Sequence, residues 1–204
     1  MTSPTQPATR RRTSVAGLLL TLVSGSALAH PGHLHDTAAG MLAAGWLHPL
    51  TGVDHLLAML AVGMWAATTQ PTLSRALSTP ISFACLLFIG ALAGISGLAL
   101  PAVEPMIMAS LLVLGLLLAA QVRLPRTASA ALVGAFALFH GLAHGAELPP
   151  GGSAMLFILG FMLSTLVLHA VGLTAGFALK RRAAWFARVA GAGTAAYGLV
   201  LLAA

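Results

Sequence analysis

The sequence predicts an all-α, polytopic membrane protein: six transmembrane helices behind a cleavable signal peptide, with the mature N-terminus outside. Three observations carry this prediction. Of 204 residues, 58% are hydrophobic and 7% are charged, whereas about a quarter of a soluble domain is charged. Apolar stretches of spanning length alternate with Pro, Gly and basic breakers. Lysine and arginine fall in every second connection, the pattern of an orientation signal. The net charge of +6 therefore does not mark a nucleic-acid-binding face; the expected surroundings are the lipid bilayer. Cys85 stands alone in an apolar run and supports neither a disulfide framework nor a thiolate metal site.

The elements follow in order. Residues 1–29 read as a signal peptide: Arg10, Arg11 and Arg12, then an apolar stretch from Val15 to Val23, then Ala27-Leu28-Ala29 as a small-x-small cleavage site. That stretch is shorter than the ~20 residues of a span. Residues 30–40 form a His-rich outer tail containing His30, His33, His35 and Asp36. After cleavage the α-amine and the three imidazoles could chelate a cation; a plain polar tail is the alternative. Residues 41–204 form the membrane domain, with apolar segments at 41–67, 77–99, 105–122, 128–147, 154–178 and 184–203. The first is long for one span, so its beginning is expected to lie along the interface before the helix turns inward. Arg75, Arg123, Arg126, Lys180, Arg181 and Arg182 occupy alternate loops, which the positive-inside rule places in the cytoplasm. The protein is thereby expected in the bacterial inner membrane.

Two polar clusters interrupt the apolar segments. His48-Pro-Leu-Thr-Gly-Val-Asp54-His55 lies in the first half of span one, and His140-Gly-Leu-Ala-His144-Gly-Ala-Glu147 ends span four. Spans one and four run in opposite directions, so both clusters fall at similar depth in the outer half of the membrane. Ionisable groups there cost several kcal/mol unless paired, hydrated or metal-bound. Imidazole and carboxylate together suit borderline divalent ions, and the absence of thiolate argues against a soft-metal path. His140, His144 and Glu147 share a helix face by their spacing. His48 and His55 would share one only in a regular helix, which Pro49 and Gly52 put in question. Asp54 is placed to orient His55 by accepting its second ring N–H. Gly141 and Gly145 remove bulk where a ligand or a second helix must approach. Three other residues receive bland readings. Glu104 reads as a carboxylate favouring a helix N-terminus, His169 as a packed polar residue, and Ser110 as a hydroxyl with no base partner in view.

The pattern His48, five residues, Asp54-His55, and Phe139-His140-Gly141-x-Ala143-His144-Gly145-x-Glu147 resembles the HupE/UreJ family of nickel/cobalt permeases without departure. The resemblance runs from the signal peptide to the last helix. It implies a permease importing Ni²⁺ or Co²⁺ for nickel enzymes such as hydrogenase or urease, with the metal as transported substrate and no resident cofactor. On that reading the tail gathers the ion and passes it to His48, Asp54, His55, His140, His144 and Glu147, a few ligands at a time. Protons compete for the same imidazole nitrogens, so uptake is expected to fall with pH. No Gly-x-x-x-x-Gly-Lys-Ser/Thr motif supplies an ATP-hydrolysing motor. A homo-oligomer is left open. The alternative is an intramembrane zinc-dependent metallohydrolase with Asp54 or Glu147 as base; the lack of His-Glu-x-x-His weakens it.

Overall fold

The computed structural model describes residues 37–148 and 152–204, so the expected signal peptide and the histidines of the tail lie outside the described residues. The described residues form helices only: α1 (Ala38–Thr51), α2 (Val53–Thr69), α3 (Leu73–Ala76), α4 (Ser78–Ile95), α5 (Val103–Ala120), α6 (Arg126–Glu147), α7 (Gly152–Arg182) and α8 (Ala184–Ala203). Five of the spans they make are long and apolar enough to cross a membrane, and α1 with α2 makes a sixth if the pair counts as one. The predicted first segment is therefore broken. Thr37 caps α1 by accepting from the Gly40 amide at 3.0 Å, the helix runs through Pro49, and the chain turns by 75° at Gly52 before α2. The over-long first segment is thus a bent pair of helices of 14 and 17 residues.

Backbone contact at glycine organises the bundle into three closely packed sets: α4 with α6, α5 with α8, and α7 with both α1 and α2. Between α4 and α6 the arrangement is reciprocal. A Cβ on Gly141 would strike the Leu87 carbonyl, and one on Gly90 would strike the Leu138 carbonyl. Gly141 and Gly145 thus make room for a helix rather than for a ligand. In a bilayer, where lipid tails are as apolar as leucine, such close approach supplies the association energy. Helix ends are closed locally: Gly97, at φ 88°, ends α4 with the Leu98 amide donating to the Ala93 carbonyl at 3.0 Å.

The two ends of the bundle carry opposite charge. Arg75, Arg123, Arg126 and Lys180 line a cavity of about 800 Å³ at one end. The end is tied together by the Trp65 indole donating to the Val122 carbonyl at 2.9 Å and by Lys180 Nζ donating to the carbonyls of Ala67 and Gln70 at 3.1 and 2.6 Å. Asp54, Glu104 and Glu147 line a second cavity of about 390 Å³. Along α2 these ends are about 24 Å apart at 1.5 Å per residue. Large apolar side chains such as Ile81, Leu116, Val171, Val189 and Leu199 are exposed along the helices, as lipid contact requires.

Candidate metal site

The acidic end is built around the break in the first span. In a regular helix, residues seven apart would be separated by about 10 Å along the axis. The 75° turn at Gly52 instead brings the start of α2 beside the end of α1, and the rings of His48 and His55 lie 5.2 Å apart, edge to face. Gly52 permits this by having no side chain: a Cβ there would stand 3.0 Å from both Asp54 Oδ1 and His55 Nδ1. From the other side α6 brings His144, whose ring centroid is 4.6 Å from those of both His48 and His55. One nitrogen from each of the three rings lies within 4.8 Å of the others. Phe161 of α7 closes the group, 5.0 Å from the His144 ring.

The carboxylates decide which nitrogens point into the group. His55 Nδ1 lies 2.9 Å from Asp54 Oδ1, though out of line for a full hydrogen bond. His144 Nδ1 lies 3.9 Å from the largely exposed Glu147 carboxylate. Each carboxylate favours a proton on the nitrogen it faces, which leaves Nε2 with its lone pair. The two Nε2 atoms meet at 2.5 Å. Such a contact is met either by one Nε2–H donating to the other nitrogen or by a cation held between the two. Three imidazoles with carboxylates behind them suit a borderline divalent ion.

The six motif residues therefore separate into roles. His48, His55 and His144 converge, and Asp54 and Glu147 stand behind two of the rings. His140 sits one level deeper, 5.5 Å from His55 between ring centroids and almost wholly buried. Its Nε2 is 3.0 Å from Ser110 Oγ. The serine gives its own proton to the Ile107 carbonyl at 2.6 Å, so it accepts from His140. Ser110 thus has the imidazole partner that its sequence context did not reveal, but as acceptor, not as an activated nucleophile. His140 Nδ1 is left buried without a partner.

Glu104 also gains a role. It lies in the first turn of α5, as a dipole-favouring carboxylate should, and it lines the same cavity as Asp54, His55, His144 and Glu147, with Met108 and Tyr197. Its only sequence signal was an acidic residue at the same depth as the two clusters. The three acidic side chains of the described residues thus share one cavity beside the histidines.

Residues 18–201 match the family described as HupE / UreJ protein. The chain belongs to the HupE/UreJ family. It is 41% identical to Protein HupE of Rhizobium leguminosarum bv. viciae over 192 residues, which cover 93% of this chain and 95% of that protein. No solved structure matches this fold. Within the family assignment, both histidine motifs lie on the matched residues.

Proposed function

We propose that this HupE/UreJ protein is an inner-membrane permease that imports Ni²⁺, or Co²⁺, through the His48/His55/His144 group, in support of nickel enzymes such as hydrogenase or urease. The family is associated with nickel and cobalt transport, and one observation carries the site: two imidazole Nε2 atoms face each other at 2.5 Å, each with a carboxylate on the far side of its ring. The acidic cavity collects cations, and the tail of His30, His33 and His35 raises their local concentration. His48, the most accessible of the three rings, takes the ion first; His55 and His144 then draw it out of water. His140 receives it next. Charge segregation supports the orientation, with the acidic end outside and the basic end in the cytoplasm.

Three imidazoles would also suit a hydrolytic zinc site, but the family assignment favours transport. The test is uptake of radioactive nickel, then cobalt, by cells lacking their own importers, with membrane levels of each variant checked. Uptake by the parent and its loss in His55→Ala and His144→Ala is the expected result. A parent that moves neither metal would sink the reading.

A further inference from the structure

The geometry points to a second coordination station for the transported cation at His169, deeper in the bundle than the histidine trio, reached past Phe83 and completed by the hydroxyl of Thr165. This rests on the permease reading and extends it to the inner half of the path.

His169 was expected to be a packed polar residue, and a packed histidine normally bonds at least one ring nitrogen. Here the residue is 2% exposed and both ring nitrogens lack a partner. No other buried histidine of the described residues has both bare. An imidazole so placed at membrane depth is costly to keep unless something polar visits it.

Two independent lines of residues lead to it from the trio. Along α7, Phe157, Phe161, Thr165 and His169 recur at intervals of four and share one face. Phe157 and Phe161 pack against His48, with centroids 5.7 Å away in each case, and Phe161 also touches His55 and His144. Thr165, fully buried and with its hydroxyl unpartnered, is one turn further, and His169 one turn beyond that. From Phe161 to His169 is about 12 Å along the helix. Across the bundle, the rings of His55, His140, Phe83 and His169 follow one another at centroid separations of 5.5, 6.1 and 4.9 Å. His140, with its Nδ1 bare, and His169, with both nitrogens bare, thus neighbour the same phenylalanine ring.

The donor set defines the ligand class. Imidazole with a hydroxyl takes the same borderline divalent cations as the trio, and so few ligands hold the ion loosely enough to release it. Phe83 is fully buried and neighbours both histidines, so on this path its ring turns as the ion passes. Loading the trio and moving inward are therefore separate steps.

That separation supplies the test. His169→Phe keeps an aromatic body of similar size, and His169→Gln keeps a polar one with poor affinity for these metals. Each is measured for nickel uptake in cells and for equilibrium nickel binding by the purified chain. The expected result is at least a tenfold loss of uptake in both variants, with nickel affinity at the trio within about twofold of the parent. A purely structural role would lower binding and folded yield together, or would be satisfied by phenylalanine. Uptake at the parental level in His169→Phe overturns the station. If neither variant accumulates, Thr165→Val decides: reduced uptake with intact binding supports the proposal, and unchanged uptake overturns it. A parent that transports no metal defeats the permease reading itself. A parent that transports, with His144→Ala inactive and His169→Phe active, defeats only this inference.

Discussion

The two histidine-bearing spans solve the same placement problem in opposite ways. In α6 the helix is regular, so His140 and His144 stay one turn apart, and each meets a different neighbourhood: Ser110 for the first, the trio for the second. In the first span the helix is broken, and residues seven apart in sequence meet within 5.2 Å. A regular helix can deliver a ladder of ligands at successive depths; a broken one can deliver two ligands to a single point. Irregular backbone inside a membrane is tolerated where it is buried in protein or lines a polar cavity, and a Cβ at Gly52 would meet Asp54 and His55, both of which line the acidic cavity.

The contrast can be broken at Gly52. Gly52→Val adds a branched side chain whose Cβ alone would stand 3.0 Å from Asp54 Oδ1 and from His55 Nδ1. The backbone there, at φ −82° and ψ 112°, suits any residue, so the effect should come from displaced ligands and not from misfolding. Nickel uptake is expected to fall by at least about tenfold, the scale of losing ligand orientation, with normal membrane levels. Unchanged uptake would mean that the bend does not set the trio.

The carboxylates sharpen the same contrast more gently. Asp54, 2.9 Å from His55, belongs to the broken span; Glu147, 3.9 Å from His144 and 74% exposed in its side chain, belongs to the regular one. Asp54→Asn should weaken nickel binding by about tenfold or more, within the range for groups that orient a metal-binding histidine. Glu147→Gln should cost only a few-fold, because a longer, solvated contact is screened. Titration of the purified variants with nickel ranks them, and the reverse order would contradict the assigned roles.

Much of this was legible in the residues. Hydropathy gave the spans to within a few residues of the helices, because lipid leaves the chain almost no alternative to helix. The motifs gave the chemistry, because ionisable groups are so rare in the apolar segments. Pro49 and Gly52 marked the irregular start, but no spacing rule gives the direction of a bend. Which spans pair was not legible either: glycines mark close approach, yet Gly90 and Gly141 carry no information about each other until the helices are packed. Glu104 and His169 received their bland readings for the same reason. A helix-start carboxylate and a lone core histidine look ordinary in sequence, and only neighbours from other spans make them otherwise.

On the proposed reading, one ion is held by imidazoles from the broken span and from the end of α6, with His140 a level below. Nickel bound to the purified protein, measured for stoichiometry and by X-ray absorption at the metal edge, tests it most directly. The expected result is one tightly bound ion with three imidazole ligands, lost in His144→Ala and kept, with the same three ligands, in His140→Ala. Loss of the ion in His140→Ala with retention in His144→Ala would contradict it.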